Sequence, residues 1–280
     1  MRRSVASPSR AAGSVLVHGV LAVLAAVFLL PLVWMVVAAF DAEPSLRAAP
    51  PASLTLDHFS AVLTPETVLV PVANSVLICG GAALVTVAAS LLAAYPLSRY
   101  TLRFKRPVMY VVLFATGLPI TAIMVPVYGL FAQAGLLDSR LSTSLFLATA
   151  SLPYGIWISK NVLDGIPIEL EEAAWVDGAS VWQSLRLLVL PLAVPGMAVV
   201  GIFTLVLTWG NFFVPFILLN SADRLPAAVK IYAFFDQYGG VRYGELAAYS
   251  LLYTLPVVAL YLAVSRALSG RFGLGGAMKG

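Results

Sequence analysis

Acid, cysteine and histidine are all scarce in this chain, and each scarcity closes off a class of function. A single cysteine, Cys79, excludes an intrachain disulfide framework and a thiolate metal site. It lies inside an apolar run and reads as a small buried side chain. Two histidines, His18 and His58, supply neither a metal cluster nor a general acid–base pair, and no nucleophile stands beside a base. There is no GxxxxGK[S/T] loop, so the chain has no evident means of holding nucleotide phosphates. Charge is thin overall: 11% of residues are Asp, Glu, Lys or Arg, against 60% hydrophobic. With a mean hydropathy of +0.94, lipid is the solvent for most of the chain.

What the sequence does have is six long apolar runs, at about 15–40, 76–97, 107–131, 141–158, 195–219 and 246–268. Each meets or approaches the roughly 20 residues a helix needs to cross about 30 Å of hydrocarbon. A barrel is excluded because its strands alternate apolar and polar. The first run is too long for the core of a secretory signal and reads as a retained helix. The expected fold is therefore all-α: a polytopic membrane protein of six transmembrane helices, one domain over 1–280 without repeats or linkers.

Basic residues set the orientation. With a cytoplasmic N-terminus, the inner segments hold twelve of the Lys and Arg residues and the outer ones five, Arg47, Arg140, Arg224, Lys230 and Arg242. The positive-inside bias places both termini in the cytoplasm, and no basic face suggests nucleic acid. Prolines punctuate the runs, and Gly117, Leu118 and Pro119 are the best candidate for a bend that matters.

The scarce acid is not spread evenly. Asp164, Glu169, Glu171, Glu172 and Asp177 crowd between runs four and five. Each would cost about 2.5–3.5 kcal/mol at mid-bilayer, so this segment stands outside the lipid. Pro167 suits a first helical turn, and the glutamates complement the positive end of the dipole. Gly178 can supply a left-handed stop, and Ser180 with Gln183 spells a capping box for a second helix that runs to Pro191. Ile166, Leu170, Ala173 and Ala174 share one helical face. An amphipathic helix resting on the anionic inner leaflet is usually basic; this one is acidic, which favours a protein partner.

These residues resemble a known signature. Glu172, Ala173, Ala174, then Gly178, then Leu188, Leu190 and Pro191 match the spacing of the EAA motif in permease subunits of ATP-binding-cassette importers, with Leu188 where isoleucine is usual. Asn74–Ser75, Ala93–Ala94–Tyr95, Leu152–Pro153, Ile166–Pro167 and the Gly275–Gly280 ending are similar to the carbohydrate-uptake, MalG-like branch. Trp209, Gly210, Asn211 and Phe212 depart from that branch, which tends to have Trp, Asn, Glu and Phe there.

The resemblance implies a type I importer permease whose loop at about 163–191 carries a cytoplasmic coupling helix. Glu172, Ala173, Ala174, Asp177 and Gly178 would then dock on a separate ATPase, with Leu188, Leu190 and Pro191 leading the motion into span five. ATP and magnesium would sit on that partner, and this chain would bind no cofactor and be no enzyme. The implied assembly has a second homologous permease subunit, two ATPase subunits, an extracytoplasmic binding protein or lipoprotein, and the bilayer of a bacterial inner membrane. Trp209 and Asn211 are candidate substrate contacts or interhelical packing. Tyr232, Phe234, Phe235 and Tyr238 are candidate binding-protein contacts or an interfacial aromatic belt. A gradient-driven carrier is the rival class, although the spans hold essentially no acid to relay protons or ions. Importers of polyamines or amino acids are rivals within the class.

Overall fold

The computed structural model describes residues 8–46, 50–51, 53–236 and 240–272. Among these the secondary structure is helical, apart from two isolated antiparallel bridges, Asp41 with Leu54 and Phe235 with Val241. Five helices are long and apolar enough to span a membrane, and a bent pair brings the total to six. The protein is a multi-pass membrane protein. Two compact units divide it, Met1–Thr64 with Ala233–Leu252, and Pro65–Tyr232 with Tyr253–Gly280.

In the first unit, α1 (Pro8–Phe40) is apolar from Val17 onward apart from His18, and the most hydrophobic stretch of its Val17–Phe40 segment buries nothing. Helix α2 (Asp57–Val62) follows the first bridge. Phe40 packs on Phe59 at 5.0 Å between centroids, and a ring nitrogen of His58 bonds the Asp41 carbonyl oxygen at 2.8 Å.

The second unit is built on three spans. Helix α3 (Val70–Arg99) packs along α6 (Arg140–Asp164) and α9 (Leu190–Trp209). Small side chains let α3 and α6 approach closely. The Ser90 and Ser159 hydroxyls meet at 3.0 Å, and the Thr86 hydroxyl donates to the Ala148 carbonyl at 3.3 Å. A Cβ on Gly155 would meet Thr86 and Ser90 at 3.0 and 3.2 Å. In lipid, where apolar burial between helices gains little, such close approach and hydrogen bonding supply the association.

Between α3 and α6 the third apolar run folds as α4 (Lys105–Thr116) and α5 (Ile120–Gln133), set at 95°. The break falls at Gly117, Leu118 and Pro119, as the sequence predicts. Proline cannot donate to the fourth carbonyl back and pushes the preceding residue out of helical geometry. Proline alone does not dictate a break, since Pro96, Pro126, Pro153 and Pro195 all sit inside continuous helices.

The remaining elements are α7 (Glu169–Val176), α8 (Val181–Ser184), α10 (Phe213–Leu218), α11 (Ala227–Lys230) and α12 (Tyr243–Phe272). Two boundaries differ from expectation. The helix starting at Val181 does not stop at Pro191; it continues through a π-turn, Leu185–Val189, into α9, making one 29-residue element. The helix that carries the fifth apolar run therefore covers Val181–Trp209, and the chain breaks at Gly210 before α10, ahead of the run's end at 219. The π-turn has a local cause: Pro191 offers no N–H to the Leu187 carbonyl, and the Leu190 N–H reaches back to Leu185 instead. The same device precedes Pro71, where a π-turn at Pro65–Leu69 opens α3.

Candidate functional site

The acidic segment emerges where α3 and α6 end. Helix α7 begins two residues after Pro167, with Ile168 at its N-cap and no side-chain cap. Glu169, Glu171 and Glu172 occupy its first turn, against the positive end of its dipole. It closes in a Schellman motif: the Ala179 N–H donates to the Ala174 carbonyl (2.9 Å) and the Gly178 N–H to the Trp175 carbonyl (3.0 Å). Gly178 takes φ = 89° there, a conformation that glycine adopts freely. Ser180 then caps α8. Its Oγ accepts from the Gln183 N–H (3.2 Å), and Gln183 Oε1 accepts from the Ser180 N–H (2.7 Å), a complete capping box.

Within the chain, α7 is held mainly through a charged residue, and of its apolar stripe only Ala174 is partly buried. Ile166 is buried in the connection ahead of the helix, while Leu170 and Ala173 are exposed. The inward residue is Glu171, with no exposed surface. Its Oε1 accepts from Arg99 Nε at 2.5 Å and its Oε2 from the Tyr95 hydroxyl at 2.6 Å. Arg99 Nη1 donates to the Leu163 carbonyl at 2.9 Å, so one guanidinium joins the ends of α3, α6 and α7. Ser98 donates to Asp164 at 2.7 Å, and Lys160 pairs with the same carboxylate. A carboxylate matched to a guanidinium and a phenol holds this buried face through charge-assisted bonds.

Beneath this knot lies a core of Leu91, Leu163, Ile166, Leu185, Val189 and Met197, with Leu190 packed against it. Thus Leu188 and Leu190 are partly buried, whereas Pro191 is exposed. The outward surface of α7 and its turn carries Glu172, Ala173, Val176 (88% exposed), Asp177 and Gly178. The arrangement is a short rigid projection, locked on one side by ion pairing and presenting acid and small apolar groups on the other.

Residues 86–271, which contain this projection, match the family described as the binding-protein-dependent transport system inner membrane component. The chain belongs to this family. Among curated relatives, the diacetylchitobiose uptake system permease protein NgcG of Streptomyces coelicolor is 26% identical over 275 residues, covering 96% of this chain and 90% of its own. The maltose/maltodextrin transport system permease protein MalG of Vibrio parahaemolyticus is 30% identical, covering 81% and 82%. A bacterial ABC transporter involved in the import of the acidic polysaccharide alginate superposes with a TM-score of 0.81 at 20% identity, over 94% of this chain and 99% of that one. That likeness establishes the permease fold.

The other expected sites in this permease are of two kinds. Trp209 is 5% exposed; its indole N–H donates to the Tyr253 carbonyl (3.3 Å), and the Tyr253 hydroxyl returns a bond to the Trp209 carbonyl (2.7 Å). Asn211 Oδ1 accepts from the Val214 N–H at 3.0 Å and so holds the first turn of α10. Their polar groups brace the break after α9. Nearby, Phe212, Phe216 and the exposed Tyr232 form an aromatic group, with Phe212 and Phe216 stacked at 4.9 Å. Phe235 is exposed, but Phe234 is a core residue, packed on Tyr249 at 5.0 Å and covered by the Arg242 guanidinium. Phe234 ends the 3₁₀ turn Ile231–Phe234 while Phe235 is already extended in its bridge with Val241, so the neighbours differ in burial, which an aromatic count cannot reveal. Tyr238 and the tail from Gly275 lie outside the described residues.

At the end of α3 and α6 away from α7 lies a second polar knot. Asp138, at φ = 54°, accepts from the backbone of Asn220 and Ser221 (both 2.9 Å) and from the Ser221 hydroxyl (2.5 Å); Arg224 lies at 3.2 Å. The Ser221 hydroxyl and N–H, then the Asn220 N–H, with Arg224 adding a smaller contribution, hold its pKa down at about 2. Arg140 donates to Asn74 (2.7 Å), whose amide holds the carbonyls of Asp223 and Leu225. An aspartate two residues before a helix start is the only trace of this in sequence.

Proposed function

We infer that the chain is a permease subunit forming half of the translocation path of an ATP-driven importer for a sugar or sugar derivative, and that α7 is its coupling helix. The observation that carries this is the two-sided character of α7. One side is fixed to α3 and α6 through Glu171, while Glu172, Ala173, Asp177 and Gly178 are exposed.

A separate ATPase receives that outward face. Ala173 permits close approach, and Glu172 and Asp177 offer carboxylates for charge-assisted bonds from basic groups on the partner. Nucleotide binding and magnesium belong to that partner. The bend at Gly178, the capping box and the π-turn lead from α7 into α9, so displacement of the helix reaches span five through Leu188, Leu190 and Pro191. With α7 in the cytoplasm, both termini are cytoplasmic and the 220–245 segment is extracytoplasmic, in keeping with the basic-residue bias. There the exposed Tyr232 and Phe235 offer contacts to a substrate-binding protein. A second permease completes the path.

The sugar assignment rests on relatives whose names carry diacetylchitobiose and maltose or maltodextrin. The test is reconstitution with the ATPase, the second permease and the binding protein, and an Ala173→Cys variant for cross-linking. Uptake of a labelled oligosaccharide that requires ATP, together with a cross-link from position 173 to the ATPase, is the expected result. Uptake driven by an ion gradient without ATP, or a position 173 that never reaches the ATPase, would overturn it.

A further inference from the structure

Glu171 stands beside the EAA signature, not in it, yet among the described acids it is the one with no exposed surface. Burying an ion pair brings little net stability, because desolvation cancels most of the attraction; well-packed apolar residues often do as well or better. The cluster is also imperfect as a strut, since Arg99 Nη2 is buried without a hydrogen-bond partner among the described residues. What the pair offers is directional connection. Both carboxylate oxygens are engaged from α3, by Arg99 and Tyr95, while Arg99 also grips the Leu163 carbonyl of α6. Apolar contacts can slide; hydrogen bonds fixed in distance and angle transmit displacement.

We propose that Tyr95, Arg99 and Glu171 are positioning residues that form a transmission clamp, passing displacement of α7 directly to the ends of α3 and α6, in parallel with the covalent route through Gly178 into α9. The inference rests on the reading of α7 as the ATPase-docking helix. The clamp adds α3, which the chain does not join to α7, and a second hold on α6; the chain itself connects α7 only to α6, through residues 165–168, and to α9, through Gly178.

The test uses the complete transporter in lipid vesicles, reading sugar taken up per ATP hydrolysed at equal amounts of assembled complex. Glu171→Gln keeps the shape of the side chain and removes its charge. It should lower the ratio roughly tenfold, within the range of couplings between sites, with ATP hydrolysis continuing. A role confined to stability would lower the yield of complex and leave the ratio unchanged, and that result overturns the proposal. If the single variant fails to assemble, Arg99→Leu with Glu171→Leu leaves no unpaired charge, and the same fall is expected. Spin labels at Glu169→Cys and Tyr100→Cys, with the clamp intact, supply a further decision. Their separation should stay constant between nucleotide-free and ATP-bound states; a change refutes the clamp. Failure of the docking reading is separate, because it appears as loss of the position 173 cross-link in a transporter with the clamp intact.

Discussion

Replacing Gly178 separates backbone geometry from bulk in the proposed coupling turn. The residue sits at φ = 89°, and a Cβ built on it meets nothing within 4 Å. Steric clash with neighbours is therefore not the cost; the cost is the left-handed backbone itself. Alanine there should lose about 1–2 kcal/mol relative to glycine, and at about 1.4 kcal/mol per factor of ten this biases the Schellman turn roughly 5- to 30-fold toward other conformations. Valine, β-branched, should lose about 2 kcal/mol or more. Asparagine has nearly the volume of valine but tolerates positive φ, so its loss should be the smallest of the three. Uptake by reconstituted transporter, normalised to membrane-inserted protein, should follow the order glycine, asparagine, alanine, valine. Insertion itself should be unchanged, because the turn lies outside the spans. Full uptake with valine would refute the argument from strain. Equal loss with asparagine and valine would show that the surface, not the dihedral angle, governs the site.

Two further outcomes concern the knot and the brace away from α7. The native Asp138 pKa, about 2, lies below the ordinary aspartate value of about 3.9. Its stabilising effect is therefore present above about pH 4 and is lost as pH falls from there through about 2. Hydrogen exchange at the Asn220 and Ser221 amides should be slow and insensitive to this group from pH 5 to 8, and faster at every pH in Asp138→Ala; unchanged protection in the variant would count against the knot. Asn211→Ala should loosen the first turn of α10 by about 1 kcal/mol, the usual value of a helix-start cap, read as faster exchange at Val214. Asn211→Asp, which retains the acceptor, should preserve protection, and equal loss in both would contradict the capping role.

Local chemistry is what the amino-acid order settled unaided. Hydrophobic run length alone required a membrane bundle, Gly117, Leu118 and Pro119 together marked the break between α4 and α5, and Gly178 with Ser180 and Gln183 spelled a turn and a cap that close within a few residues. Such features depend on dihedral preference and short-range hydrogen bonds, so their cause lies beside them in the chain. Packing decided the rest. That Glu171 turns inward and Glu172 outward follows from Arg99, 72 positions away, and from the burial of Tyr95 beside it. The Asp138 knot needs the 220–224 segment folded back upon it. Phe234, ending a 3₁₀ turn, is buried, while Phe235, in its bridge with Val241, is exposed. Partners brought together across such separations leave no periodicity to read, because a buried charge is defined by what faces it, and only the assembled helices supply that.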